Sequence, residues 1–149
     1  MLSYMVVFPR GGEQYTEFYI LGNNGKAETY PSIFTMKNND IISVQYGDKG
    51  ITTYGEPGKV TVGIINHEQL NSVYSVAITI DGQESEIYYA GQHLTRIENI
   101  ELSQGGKWEQ EIGFTPQHSG DNQKIEFLLY KNNKADPDET LHLWINVKK

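Results

Sequence analysis

The sequence predicts an all-β fold, because short segments that alternate apolar with polar residues follow one another along the chain, separated by Gly, Asn, Asp or Pro. The clearest segment is TLHLWINV, residues 140–147. Side chains in a strand point alternately to two faces. One face of this segment is aliphatic and consists of Leu141, Leu143, Ile145 and Val147, whereas the other carries His142, Trp144 and Asn146. No window shows a sustained helical period, so we expect an antiparallel β-sandwich.

The first half of the chain predicts several strands. An opening strand is expected within residues 1–9, before the turn PRGGEQ. The segment YTEFYIL, residues 15–21, has apolar side chains on both faces, which predicts a strand inside a sheet. The segments SIFTM and DIISVQY predict a hairpin over about residues 32–46.

The second half predicts further strands in close succession. Strands are expected at 59–66, 72–81, 107–115, 123–131 and 140–147, with a short crossing strand near 97–102. Asp81-Gly82 is a strong signal for a two-residue hairpin, so ESEIYYA should return antiparallel to the strand before it.

Length and composition limit the class of protein. The 149 residues fit one domain, spanning 1–149, that can bury a continuous core without disulfides or metal. There is no cysteine, and the formal net charge of −7 opposes binding to nucleic acid, whose affinity comes largely from Lys and Arg. The opening MLSYMVVFP is too short for a membrane helix and lacks the features of a signal peptide.

Several blocks, in a fixed order, resemble one family. They are YTEFYILGNNGKAETYP, VTVGIINHE, Trp108 followed by FTP, GDNQKIEFLLYK and LHLWINV. Together they resemble the soluble C-terminal domain of DUF1616, an uncharacterised, mostly archaeal family of membrane proteins. The resemblance implies an immunoglobulin-like or fibronectin type III-like sandwich that follows membrane helices and is presented outside the cytoplasm. It implies no activity.

Two departures from the family pattern lead to further expectations. Residues 33–58 are expected to insert an extra hairpin, which affects the order of strands at the sheet edge. The chain is either an excised domain or a stand-alone relative. If it is an excised domain, residues 1–9 are the remnant of an upstream membrane segment and the membrane is a partner through the preceding helices.

Five residues are candidates for binding. His67 and Glu68 follow a predicted strand, and hydrogen bonds that fix the turn are the simpler role for them. His142 and Trp144 share a strand face, which is either a ligand patch or, as we expect, a second packed face. Asn122 lies in a turn-rich segment before a strand.

Metal and catalytic patterns are weak. The four histidines lack metal-ligand spacing, and Asp121, Asp136 and Asp138 supply only part of a calcium cage. Glu17 and Glu126 lie in apolar strands, but nothing in the sequence shows that they face each other as a glycosidase pair would. We therefore expect no cofactor and no catalytic residue.

The sequence favours a non-enzymatic extracytoplasmic module for adhesion, envelope structure or protein interaction. Its expected partners are a protein or another envelope component, and no nucleic acid. A carbohydrate-binding module is the alternative. It requires at least two exposed, coplanar rings among Tyr54, Tyr88, Tyr89, Trp108 and Trp144. A hydrolase that uses loop carboxylates is the weakest hypothesis.

Overall fold

The computed structural model describes residues 14–22, 29–47, 49–52 and 55–149. The predicted opening strand, the expected membrane remnant at 1–9 and Tyr54 lie outside these residues. The strands are β1 (Thr16–Leu21), β2 (Pro31–Lys37), β3 (Asp40–Tyr46), β4 (Lys49–Thr52), β5 (Gly58–Asn66), β6 (Ser72–Ile80), β7 (Gln83–Ser85), β8 (Ile87–Tyr89), β9 (Gln92–Leu94), β10 (Ile97–Leu102), β11 (Lys107–Phe114), β12 (Gly120–Lys131) and β13 (Glu139–Lys148). Within the described ranges there is no helix that could cross a bilayer.

The strands form two sheets, which confirms the all-β sandwich. The five-stranded sheet has the order β1-β5-β11-β8-β9. The larger sheet has the order β10-β6-β12-β13-β2-β3-β4, and β7 pairs with β6 beside β10. All its pairings are antiparallel except one, since β13 and β2 run parallel, with Val147 opposite Phe34. The sheet is therefore mixed rather than purely antiparallel.

One hydrophobic core lies between the sheets. Its ring contacts cross from sheet to sheet, because Phe114 of β11 lies 5.7 Å from Phe34 of β2 and 6.3 Å from Phe127 of β12, centroid to centroid. On β13 the four aliphatic residues of the predicted inner face are buried or packed against this core. The two-residue period predicted from the sequence therefore describes this strand correctly.

The hairpin at Asp81-Gly82 is confirmed, but its returning strand is shorter than predicted. Both residues have positive φ, 50° and 80°, and Ile80 pairs with Gln83. The segment ESEIYYA does not stay beside β6, since only β7 pairs there, while β8 crosses to the five-stranded sheet and pairs with β11 and β9. Ile87, the first residue of β8, is fully buried in the core where the chain passes from one sheet to the other.

The position predicted for YTEFYIL was also wrong for the described part of the chain. There β1 stands at the end of its sheet with β5 as its partner. Both of its faces are nevertheless covered, with Phe18 and Ile20 in the core and Tyr19 only 3% exposed on the opposite face. The apolar residues on both faces of β1 therefore indicate that both faces are buried, and they do not indicate that the strand is central in its sheet.

The inserted segment extends the larger sheet. Strands β2, β3 and β4 succeed one another from β13 to the edge, which places the hairpin predicted within 33–58 at that edge. Asn38 and Asn39 form its turn and both have positive φ, 53° and 67°, as a two-residue hairpin turn with this twist requires. The tip of this hairpin approaches the loop before β12, where both line one groove.

Candidate functional site

An exposed aromatic patch lies on the outer face of the larger sheet. We call it the Trp144 patch and define it by Lys124, Glu126, His142 and Trp144. Trp144 is 56% exposed and lies opposite Lys124, while His142 lies opposite Glu126, so strand register brings the four side chains to one surface. The expectation that His142 and Trp144 form a second packed face was wrong, because no further layer of the described chain covers them.

Polar contacts organise the Trp144 patch. The His142 ring meets the Trp144 ring edge-on, with centroids 6.0 Å apart and an interplanar angle of 77°. Lys124 Nζ lies 5.9 Å from the Trp144 centroid and 3.8 Å from Glu126 Oε2. The indole face is thus framed by an ammonium, a carboxylate and an imidazole, which can hydrogen-bond a ligand that rests on the ring.

Asn122 lies beside the same surface. The β12–β13 pairing shifts register between Gly120 and Gln123, and Asn122 occupies this bulge with φ of 56°. Its backbone N–H donates to Asn146 Oδ1 at 2.8 Å, and Asn146 follows Trp144 by two residues on the outer face. The structure thus brings three of the five binding candidates, Asn122, His142 and Trp144, into one region.

His67 and Glu68 lie elsewhere, at the connection from β5 to β6. The His67 ring stacks on Tyr15 with centroids 4.7 Å apart, and its Nε2 lies 3.2 Å from Glu17 Oε1. The backbone N–H of Glu68 donates to Asn66 Oδ1 at 2.8 Å, and Asn66 is fully buried. These bonds agree with the predicted role in fixing the turn, while a binding role stays a prediction.

Glu68 also takes part in a polar cluster that ties the two sheets together. We call it the inter-sheet cluster: Thr16 of β1, Glu68, Tyr74 of β6 and Lys131 of β12. Glu68 Oε2 accepts hydrogen bonds from Thr16 Oγ1, at 2.6 Å, and from Lys131 Nζ, and Thr16 Oγ1 bonds the Tyr74 hydroxyl at 2.7 Å. Thr16 and Tyr74 are almost completely buried.

The charges in this cluster stabilise one another. Partial burial alone would raise the pKa of Glu68, but the hydrogen bonds from Lys131 and Thr16 outweigh it, so the pKa is lowered. Burial would likewise lower the pKa of Lys131, but the bond to Glu68 and its charge raise it. Burial raises the pKa of the Tyr74 hydroxyl. The cluster therefore links β1 of one sheet to β6 and β12 of the other through mutually stabilised polar groups.

The structure does not bring the calcium candidates together. Asp121 lies near the start of β12 and Asp136 and Asp138 follow its end, so the length of a strand of 12 residues, roughly 40 Å when extended, separates them. No group of three metal-ligating side chains is found within the described residues. Burial, together with the Asp138 carboxylate, raises the pKa of Glu139 in the same hairpin.

Glu17 and Glu126 do not face each other across a cleft. Glu17 belongs to β1 of the five-stranded sheet and neighbours His67. Glu126 is on the outer face of the larger sheet, where Thr79 Oγ1 lies 3.5 Å from its Oε1. A shared site for two carboxylates, as glycosidases need, is not formed by this pair.

The aromatic residues proposed for sugar stacking separate into different environments. Tyr89 and Trp108 pack partly buried against the core, with centroids 6.0 Å apart and planes tilted by 58°. Tyr88 contacts the His93 ring at 4.3 Å. Among the described candidates Trp144 alone stands out as strongly exposed, so the required coplanar pair is not present there.

Two grooves flank the loop at 117–119. One, of about 490 Å³, lies against the β6–β7 hairpin and is lined by four carboxylates, those of Asp81, Glu84, Glu86 and Asp121. The other, of about 640 Å³, lies against the β2–β3 hairpin. We call the second the basic groove, and its polar lining includes Lys37, Asn38, Asn39, His118, Ser119 and Lys149. Sequence reasoning missed this groove because its residues come from three separate segments.

The described strands form a β-sandwich around one hydrophobic core. Residues 45–146 match the family model described as Domain of unknown function (DUF1616). The match covers more than half of the chain, and the chain therefore belongs to the DUF1616 family. It begins within β3, so β1, β2 and the block YTEFYILGNNGKAETYP precede it. Comparison with curated proteins gave no match.

Proposed function

We propose that this chain is a non-enzymatic extracytoplasmic module that binds a protein or another envelope component through the Trp144 patch. The observation that carries the proposal is a 56% exposed indole on a regular sheet face, surrounded by polar side chains. Tryptophan is enriched among residues that dominate binding energy, because a large flat ring loses much hydrated surface on contact. The extracytoplasmic location rests on the family resemblance, in which membrane helices precede the sandwich.

The geometry of the patch suits recognition better than chemistry. Lys124 and Glu126 form an ion pair across 3.8 Å, and the His142 ring packs against the indole at a steep angle. A ligand that covers Trp144 would gain apolar contact at the ring and hydrogen bonds at its border. That division, an apolar centre with a polar rim, is the usual anatomy of a binding surface.

Cosedimentation tests the proposal. The purified chain is mixed with an envelope preparation from the organism that produces it, and the bound fraction is measured for wild type, Trp144→Ala and Leu70→Ala. Leu70 is 75% exposed in the β5–β6 connection, so it is a matched exposed apolar residue outside the patch. We expect Trp144→Ala to weaken binding at least about tenfold, the loss typical of a dominant contact residue.

Equal binding by Trp144→Ala and wild type would contradict the role of the patch. The Leu70→Ala variant should bind as wild type does. If Leu70→Ala weakened binding as much as Trp144→Ala does, the role of the patch would also be contradicted, because loss of any exposed apolar side chain would then explain the weaker binding.

A polysaccharide ligand is a second candidate, favoured by the open indole face beside hydrogen-bonding groups. Trp108 is the other tryptophan of the chain, so Trp108→Phe leaves Trp144 as the sole indole fluorophore. Titration of this variant with soluble polysaccharides should shift its emission if sugar rings stack on Trp144. If the chain bound envelope protein but no polysaccharide shifted the Trp144 emission, a polysaccharide ligand would be excluded and a protein ligand would remain.

A further inference from the structure

The basic groove differs in charge from the rest of this acidic molecule. The chain has a formal net charge of −7, yet the side chains that line the groove include those of Lys37, Lys149 and His118, and none of them is an Asp or a Glu. Its remaining polar lining consists of amides and the Ser119 hydroxyl. All of these side chains can donate hydrogen bonds.

Most donors of the groove are not used inside the described part of the chain. Gln117 is the exception, because its Nε2 donates to the Thr115 carbonyl at 3.2 Å. No hydrogen bond or ion pair there engages the side chains of Lys37, Lys149 or His118, although His118 uses its carbonyl to accept from Gln123 Nε2 at 2.9 Å. That bond and a second one from Gln123 to the Gly120 carbonyl, at 3.2 Å, fix the loop that forms one wall. Gln123 is only 6% exposed, so the loop is anchored while its imidazole and hydroxyl groups make no hydrogen bond within the described residues.

The β2–β3 hairpin forms the opposite wall of the groove, and its backbone geometry fixes the position of that wall. Asn38 and Asn39 form the tight turn of the β2–β3 hairpin, and Met36 beside them is buried. Lys37 is the last residue of β2, so its position follows from the sheet. A hairpin and an anchored loop thus hold lysine, amide, imidazole and hydroxyl donors around one groove of about 640 Å³.

We propose that the basic groove is a binding site for an oxyanion, a phosphate, sulfate or carboxylate group carried by an envelope polymer. Lysine ammonium groups attract such anions, while amide and hydroxyl donors fix their orientation. The carboxylates of the neighbouring groove lie on the other flank of the 117–119 loop and repel anions from that side. The charge pattern therefore directs an anion to one side of the loop. The site shares no residue with the Trp144 patch, and only the choice of an envelope polymer as the carrier rests on the proposed extracytoplasmic location.

Titration followed by ¹H–¹⁵N NMR tests the site on the full chain. The probes are sodium phosphate, sodium sulfate and sodium acetate, with sodium chloride at equal ionic strength as the control for screening. We expect saturable shifts at the amides of 36–39 and 117–119. The double variant Lys37→Gln/Lys149→Gln should raise the Kd at least about fivefold, equivalent to about 1 kcal/mol.

Lys148→Gln is the matched control for the single variant Lys149→Gln, since each removes one positive charge and Lys148 does not line the groove. It should bind as wild type does, and the spectra show directly that each variant is folded. Stronger shifts from phosphate than from acetate would indicate a phosphate-bearing polymer, and the reverse a carboxylate-bearing one.

Shifts that do not saturate, that chloride reproduces, or that Lys148→Gln reduces as much as Lys149→Gln does would overturn the oxyanion site. Trp144→Ala should leave oxyanion binding unchanged. Failure of this site would therefore leave the proposal for the Trp144 patch intact, and the converse also holds.

Discussion

The Glu68 carboxylate contributes to stability through two partners from different sheets, Thr16 of β1 and Lys131 of β12. Its carboxylate accepts bonds from Thr16 and Lys131, and both ionised groups are mostly withdrawn from water, with side-chain exposures of 20% and 16% for Glu68 and Lys131. Removing one member of such a pair leaves the other charge without compensation. We expect Glu68→Gln to lower the free energy of unfolding by about 1–3 kcal/mol at neutral pH, as measured by urea denaturation.

The same pair predicts the direction of the pH dependence. The pKa of Glu68 is lowered in the folded chain, so its stabilisation is complete above the unfolded pKa and is lost as pH falls through the folded pKa. Lys131, whose pKa is raised, loses its contribution only as pH rises through that raised pKa. Glu68→Gln should therefore flatten the acid side of the stability profile. Glu126→Gln is the control, and an unchanged acid profile in Glu68→Gln would contradict this account.

Sequence reasoning found half of this arrangement. The turn role of His67 and Glu68 was predictable, because turn residues act on neighbouring backbone. Thr16 and Lys131 were not, since they lie 52 and 63 residues away from Glu68 and meet it only through strand order. Trp144 illustrates the same limit, because periodicity gave its face correctly but not whether a further layer covers that face.

At the scale of elements, β1, β5 and β11 are fastened by Tyr19 on their outer face. Tyr19 lies opposite Gly63 of β5, its ring crosses that position, and its hydroxyl donates to the Glu109 carboxylate of β11. A Cβ at Gly63 would lie 2.0 Å from Tyr19 Cζ, which is not possible without moving the ring. Glycine at this place therefore permits the contact between non-adjacent strands.

We expect Gly63→Ala to lower the free energy of unfolding by about 1–3 kcal/mol, because the displaced ring loses both packing and its bond to Glu109. In a Tyr19→Ala background the same change should cost nothing or stabilise slightly, since alanine restricts the unfolded chain more than glycine does. A double-mutant cycle from thermal or urea unfolding measures the difference. Additive effects of the two substitutions would contradict the proposed contact.

The boundaries of the strands were largely predictable from the sequence, whereas the neighbouring strand with which each one pairs was not. Strands β5, β6, β11, β12 and β13 lie where alternation placed them, within a few residues at their ends. The switch of β8 to the other sheet and the parallel pairing of β13 with β2 depend on long-range closure of the sandwich. Local alternation carries no information on either, because a strand has the same period whichever neighbour it joins.

At the scale of the whole molecule, the residues matched by the family model are fewer than the residues that form the sandwich. The match begins at residue 45, but Phe18, Ile20 and Phe34 from the preceding strands are fully buried in the common core. β1 pairs along its length with β5, and β2 connects β13 to the outer strands of its sheet. Strands β1 and β2, which precede the match, are therefore part of the same sandwich.

A fragment of residues 45–149 should consequently fail to fold alone. Loss of β1 and β2 would leave the inner faces of β5 and β13 without several large apolar partners. At about 3–5 kcal/mol for each large side chain, the total deficit is comparable with the roughly 5–15 kcal/mol stability of a typical domain. Urea unfolding monitored by near-ultraviolet circular dichroism should show no cooperative transition for the fragment, whereas the full chain shows one. Co-expression with a fragment of residues 1–44 should restore the transition by supplying the missing strands. A cooperative transition in the isolated 45–149 fragment would show instead that the family-matched segment is an autonomous core, and that β1 and β2 dock onto it.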